Sequence, residues 1–291
     1  MSKCIICPRK CNVDRDKNEY GICEMPYDVH IAKVMIHMWE EPCISGSNGS
    51  GAIFFFGCPL RCIYCQNYKI SHGARNQKSI SIEELSDIML DLQERGVNNI
   101  NLVTPTHYSL SILEAIKTAK KKGLKIPIVY NCSGYEAVET LKLLQGYVDI
   151  YLTDFKYMDD TLGRRYSNVS NYSEVAKASL AEMVRQIPFA EFYDNGIMKK
   201  GVIVRNLLLP SHVNNSKEVI KYVYEQYGNQ VYISIMNQYT PLNNTNKIEE
   251  LNRKVTKREY ERLVDYAISL GIENAYIQEG DVAKESFIPE F

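Results

Sequence analysis

From about residue 50 onward, short apolar runs rich in β-branched and aromatic residues alternate with longer amphipathic ones. The short runs, at 52–56, 99–103, 126–131, 149–153, 201–209, 231–236 and 274–278, predict strands. Between them, helices are predicted at 81–95, 109–122, 135–145, 172–187, 216–227 and 256–270, where apolar residues recur three and four apart, as in Leu85, Ile88, Met89 and Leu92. End signals agree. Ser81-Ile82-Glu83-Glu84 has the capping-box form, Gly96 and Gly123 follow helices, and Lys120, Lys121 and Lys122 sit on a last turn where cations complement the helix dipole. Strand–helix alternation of this kind implies an α/β fold with a parallel sheet.

The clearest break is Ser45-Gly46-Ser47-Asn48-Gly49-Ser50-Gly51, which predicts a linker between a small lead segment, 1–50, and a sheet-forming body, 51–291. The chain of 291 residues carries 34 Lys and Arg against 35 Asp and Glu, so no basic excess marks it for nucleic acid or an anionic membrane. No run approaches the roughly 18 apolar residues of a membrane span, and Met1-Ser2-Lys3-Cys4 opens no signal peptide. The expected compartment is the cytosol.

Cysteine usage changes the picture most. Of nine cysteines, eight lie in the first 65 residues (Cys4, Cys7, Cys11, Cys23, Cys43, Cys58, Cys62 and Cys65), and Cys132 lies beyond. An odd, clustered set in a cytosolic chain suits metal or iron–sulfur ligation better than disulfides. Cys58-Pro59-Leu60-Arg61-Cys62-Ile63-Tyr64-Cys65 directly follows the first strand of the body. Three thiolates on one loop can hold three irons of a cubane and leave the fourth open to a small chelating molecule. The other reading is a zinc site completed by His72 or Cys43. Cys4, Cys7, Cys11 and Cys23 have the spacing of a closed four-thiolate site for zinc or a further iron–sulfur cluster, in a turn-rich stretch with Pro8 and Gly21. Cys43 reads as a bystander.

The motif and its setting resemble the radical S-adenosylmethionine superfamily, and the stretch Gly57 to Asn67 is similar to the loop of glycyl-radical-enzyme activases such as pyruvate formate-lyase activating enzyme. The resemblance spans roughly residues 51–240. It implies a partial parallel (β/α)6 TIM-type barrel behind a small Cys-rich N-terminal segment, with the site at the carboxyl ends of the strands. It implies a [4Fe-4S] cluster on Cys58, Cys62 and Cys65 whose open iron binds S-adenosylmethionine, reductive cleavage of that molecule, and a 5'-deoxyadenosyl radical that abstracts hydrogen. Tyr64 would lie against the adenine. Asp154-Phe155-Lys156 resembles the activases' Asp-x-Lys, whose Lys meets the S-adenosylmethionine carboxylate, and Arg205 resembles their strand-borne Arg. Asn131 and Ser133 stand where the family places polar groups near the ribose. Cys132, between them, could instead face substrate.

Two segments depart from the usual family pattern. Thr104-Pro105-Thr106-His107 replaces a Gly-Gly-Glu type segment near the amino group, leaving Thr104, Thr106 and His107 as candidate contacts, with His107 a proton donor, a substrate contact or a polar helix opener. Met236-Asn237-Gln238-Tyr239 replaces a segment with a His near the adenine, making Met236 and Gln238 candidates. This combination most resembles the PflX-like group of pyruvate formate-lyase activating enzyme homologues. The implied activity is hydrogen abstraction from a glycyl radical enzyme, with another peptide or a small molecule as alternative substrate, and flavodoxin or ferredoxin as electron donor. A metal-stabilised binding or electron-transfer protein without turnover is the alternative outside enzymes.

Overall fold

The structure, a computed structural model, describes residues 3–17, 19–72 and 77–278. Residues 1, 2 and 18 of the expected lead segment, and 73–76 and 279–291 of the expected body, lie outside the described residues.

The strands are β1 (Ile31–His37), β2 (Ser50–Phe55), β3 (Ile100–Val103), β4 (Ile128–Cys132), β5 (Ile150–Asp154), β6 (Glu191–Phe192), β7 (Met198–Leu207), β8 (Tyr232–Met236) and β9 (Ala275–Ile277). They form one sheet in the order β1-β2-β3-β4-β5-β7-β8-β9, with β6 paired to β7. All ladders from β2 to β9 along this path are parallel, and β1 and β6 are antiparallel additions. The helices are α1 (Pro42–Ser45), α2 (Tyr68–Ser71), α3 (Ile82–Glu94), α4 (Ser109–Lys121), α5 (Val138–Leu143), α6 (Asp160–Ser167), α7 (Tyr172–Gln186), α8 (Val213–Tyr227) and α9 (Lys257–Ser269).

The seven predicted strands and six predicted helices are present with shifted ends, and the Ser81–Glu84 capping box forms as expected. The predicted break at 45–51 is not a linker between separate folding layers. It is the turn between α1 and β2, and β1, inside the lead segment, pairs with β2 from Ile31↔Phe55 to His37↔Ser50. β1 escaped the pattern because it is an edge strand, half-exposed on both faces and without clean alternation. The helix α6 escaped because, of the residues it buries (Leu162, Gly163, Tyr166 and Ser167), only two carry large apolar side chains.

Strand side chains alternate between two apolar layers. Ile128, Tyr130 and Tyr151 join the core under the helices, while Val129, Ile150, Leu152 and Ile203 face the other way. On that inner face they pack against Cys43 and Ile44 of α1, so the short helix plugs the concavity from below. His37 of β1 and Tyr276 of β9, from opposite ends of the sheet, line the same cavity above the plug, so the sheet curves around it. Among the described residues no ladder joins β9 to β1, so the sheet is open there, consistent with the expected partial barrel. No helix among them is long and apolar enough to cross a membrane.

Ile44 is fully buried in the plug. Ile44→Ala is expected to destabilise the protein by roughly 2–5 kcal/mol, as a cavity-forming core truncation does. Chemical denaturation checks this. A loss below about 1 kcal/mol would show that the plug is not a packed part of the core.

Candidate active site

The carboxyl end of β2 runs straight into the thiol-bearing loop. Gly57 makes the turn with φ +81°, and no side chain fits there, because a Cβ would stand 2.7 Å from the Cys23 carbonyl oxygen and closer still to Met25. The loop folds on itself through the Cys65 N–H to the Cys62 carbonyl (3.1 Å), and the Leu60 N–H donates to Cys58 Sγ (3.4 Å). Ser167 Oγ, at the end of α6, donates to Cys62 Sγ (3.0 Å). Burial pushes the Cys58 thiol up to about 12, the neighbouring Cys62 and Cys65 adding to the effect, and burial raises Cys65 as well. Such thiols stay protonated until a cation takes the proton's place, and N–H and O–H donors are already aimed at two of the sulfurs.

That donor set fits an iron–sulfur cluster. Among the described residues no three His, Cys, Asp or Glu side chains are gathered as ligands around a single ion. A cubane does not ask for that, since its thiolates bind different irons.

Cys62, Tyr64 and Cys65 face a cavity of about 470 Å³, within the usual size range of small-molecule sites. The expected residues Asn131, Asp154, Lys156, Arg205, Met236 and Gln238 line it too. They come from the ends of β4, β5, β7 and β8, because parallel strands deliver their carboxyl ends to one rim. Gln66 Nε2 ties the loop to the Gln238 carbonyl (2.6 Å). Tyr64 is held by its hydroxyl against Tyr157 (2.6 Å), which reaches Ser167 Oγ (2.8 Å).

The charged floor is a connected network. Arg205 donates from Nε to Asp154 Oδ1 (3.0 Å), from Nη1 to Glu40 Oε2 (3.1 Å) and from Nη2 to Asn131 Oδ1 (2.6 Å). Glu40 Oε1 accepts from Asn101 (3.0 Å) and Asn131 (3.2 Å). Lys156 Nζ donates to Asp154 Oδ2, which takes one of its three hydrogens. Burial works against the Asp154 carboxylate, but Lys156 and Arg205 outweigh it and hold its pKa below the ordinary value. Glu41 goes the other way: burial pushes its carboxyl up in spite of Arg205, and its Oε2 has no hydrogen-bond partner among the described residues.

The structure does not bring Thr104, Thr106, His107 or Ser133 to the cavity wall. Thr104 takes a left-handed turn (φ +60°), and its N–H donates to the Asn131 carbonyl (2.9 Å). Thr106 donates to Glu136 Oε1 (2.8 Å). His107 is buried, with Nε2 on the Phe56 carbonyl (2.7 Å), and burial with nearby Arg15 lowers its pKa to about 3, so it is neutral at physiological pH. Ser133 gives its carbonyl to the Tyr172 hydroxyl (2.7 Å). Cys132 is buried on the helix-facing side, its thiol on Thr153 Oγ1 (3.4 Å). Cys43 stays in the plug, its sulfur in contact with the Tyr276 hydroxyl.

Sequence reasoning missed Trp39, Glu40 and Glu41, which line the cavity from the β1–α1 connection. Glu40-Glu41 beside an apolar run was the available signal, hidden by assigning residues 1–50 to a separate segment. Cys4, Cys7, Cys11 and Cys23 share one turn-rich knuckle. Lys10 N–H donates to the Cys7 carbonyl (3.0 Å), Ile22 N–H to Cys11 Sγ (3.4 Å), and the thiols influence one another electrostatically.

Glu136 gives a pH test of this layer. Burial raises its carboxyl to about 7, above its unfolded value of 4.5, so the stability it contributes is present at low pH and lost as pH rises between those values. Relative to Glu136→Gln, the wild type is expected to lose stability over that window in denaturation series at stepped pH. A constant difference between the two proteins would rule out the raised pKa.

The family model described as the radical SAM superfamily matches residues 52–202. Two uncharacterized proteins of Methanocaldococcus jannaschii are similar to the chain. One is 29% identical over 286 residues, covering 95% of this chain and 77% of its own length. The other is 22% identical over 253 residues, covering 78% and 68%. Among solved structures, Streptococcus suis SuiB bound to S-adenosylmethionine superposes with TM-score 0.51 at 15% identity over 78% of this chain. SuiB bound to its precursor peptide SuiA gives 0.51 at 14% over 75%. The chain spans about half the length of SuiB, 49% and 46% in the two structures.

Proposed function

Since the chain belongs to the radical S-adenosylmethionine superfamily, we propose that the cavity is the active site of an enzyme that cleaves S-adenosylmethionine reductively and abstracts a hydrogen atom from a peptide or protein substrate. One observation carries the reading: Cys62, Cys65, Lys156 and Arg205, from three separate parts of the chain, face one cavity at the carboxyl ends of the strands. Cys58, Cys62 and Cys65 would hold a [4Fe-4S] cluster, the cofactor this superfamily uses with S-adenosylmethionine. When bound, the two supply one-electron cleavage of the sulfonium and hydrogen-atom transfer.

The protein's part is to bind, orient and exclude water. Lys156, fixed by Asp154, offers its remaining hydrogens to an anionic group such as the amino-acid carboxylate of S-adenosylmethionine. Arg205 keeps Asp154, Glu40 and Asn131 in place, and Tyr64 presents its ring to the cavity while its hydroxyl is engaged elsewhere. The α1 plug and the apolar layer around it keep bulk water from the lower side.

A peptide or protein substrate is supported by the fold shared with SuiB, which has been crystallised with its precursor peptide. A backbone glycine of a glycyl radical enzyme is the form that the loop from Gly57 to Asn67 resembles, in the PflX-like group. Flavodoxin or ferredoxin would supply the electron. We carry Cys4, Cys7, Cys11 and Cys23 as a second metal site, zinc or iron–sulfur, on their spacing alone, since no three of them are gathered around a single ion.

Anaerobically reconstituted and reduced protein is expected to form 5'-deoxyadenosine from S-adenosylmethionine, with Cys58→Ala at background. Lys156→Ala is expected to weaken S-adenosylmethionine binding roughly tenfold or more, the worth of a hydrogen bond to a charged group. If the wild type makes no more 5'-deoxyadenosine than Cys58→Ala, the enzyme reading falls and a metal-binding or electron-transfer role replaces it.

A further inference from the structure

Arg9 lies between Cys7 and Cys11, in a turn set by the Lys10 N–H to the Cys7 carbonyl and the Asn12 N–H to the Cys4 carbonyl, both 3.0 Å. Its guanidinium leaves that turn and reaches two other parts of the chain. Nε donates to the Pro59 carbonyl (2.8 Å), and Nη2 reaches the Leu60 carbonyl (3.5 Å), both between Cys58 and Cys62. Nη1 donates to the Asn168 carbonyl (2.6 Å) and Nη2 to the Ser167 carbonyl (3.0 Å), at the end of α6.

All four acceptors are of a kind that lacks donors. The last carbonyls of a helix have no intrahelical partner and carry partial negative charge, and the two loop carbonyls lie outside any strand ladder. One planar fork meets both sets at once, which a single ammonium cannot do. The same α6 end also holds the loop directly, through Ser167 Oγ on Cys62 Sγ (3.0 Å) and the Ile63 N–H on the Tyr166 carbonyl (2.9 Å). Arg9 thus fixes both the loop and the hydroxyl-bearing residue that points at one of its sulfurs. Elsewhere on the loop, Arg61 pairs with Glu24 (2.6 Å) and donates to the Ile22 carbonyl (3.2 Å), so the lead segment holds the loop at a second point.

We propose that Arg9 is a positioning residue for the thiol-bearing loop, setting the arrangement in which Cys58, Cys62 and Cys65 present their sulfurs to a cluster. This rests on the reading of those three thiols as cluster ligands. It assigns a task in the reaction centre to the lead segment, which also carries Cys4, Cys7, Cys11 and Cys23.

The test uses the full chain as wild type, Arg9→Ala, Arg9→Lys and the neighbouring control Lys10→Ala, all reconstituted anaerobically. Iron is counted as the excess over Cys58→Ala, its loss to a chelator is timed, and the reduced proteins are compared by electron paramagnetic resonance with and without S-adenosylmethionine. Arg9→Ala is expected to lose iron roughly tenfold faster or more, the usual effect of removing an outer partner of a metal site, and to show an altered resonance line shape. Arg9→Lys should fall between it and the wild type, and Lys10→Ala should match the wild type. Thermal unfolding of the metal-free proteins checks that Arg9→Ala folds; if it does not, Arg9→Lys carries the comparison. Wild-type iron retention and spectrum in Arg9→Ala would overturn the proposal, as would a fully wild-type Arg9→Lys, which would leave no task for the fork. A wild type that takes up no iron above Cys58→Ala would instead overturn the proposed function, and this inference with it.

Discussion

A guanidinium inside a parallel sheet has to be matched, and much of the cavity follows from how Arg205 is matched. Its three nitrogens go to three different places: Asp154 at the end of β5, Asn131 at the end of β4, and Glu40 in the lead segment. A lone charge there would cost several kcal/mol, and removing one partner of such a group costs about 3–5 kcal/mol. The network therefore holds the strand ends in register, Asp154 opposite Arg205, and fastens the β1–α1 connection across them. It also leaves Lys156 fixed by a single carboxylate, with hydrogens still to give.

The parts of this arrangement that were legible in the sequence are those written locally. Strand–helix alternation, the Ser81 cap, and Cys58, Cys62, Cys65, Asp154, Lys156 and Arg205 at strand ends all follow from short stretches of chain. Residues that reach the cavity by a non-local path were missed. Glu40 and Glu41 precede the plug, and nothing within a few residues of them says that α1 will enter the concavity of a sheet built from later strands. Of the three readings of His107, the structure agrees with the polar residue at the opening of α4: it lies in the turn Thr106–Tyr108 before Ser109, and its side chain turns to the Phe56 carbonyl and into the core. Burial at a strand end is decided by which face the backbone presents, and the left-handed Thr104 resets that face just upstream.

The lead segment is therefore bound into the rest of the molecule at three levels. β1 extends the sheet, α1 fills its concavity, and the cysteine-rich knuckle grips the thiol loop through Arg9, Glu24 and the close approach at Gly57. A segment of about 50 residues would struggle to build a core of its own. Here it has no need of one, since its apolar residues complete the core of the larger part.

The plug has a consequence for traffic. With α1 packed against Val129, Ile150, Leu152 and Ile203, the concavity is a well with a floor rather than a tunnel. Among the described residues α1 blocks passage through the lower side, so what enters the cavity does not leave past the plug. Two molecules that share such a well have to queue: the one that sits deepest arrives first and departs last, so a bulky second reactant acts as the stopper for the first.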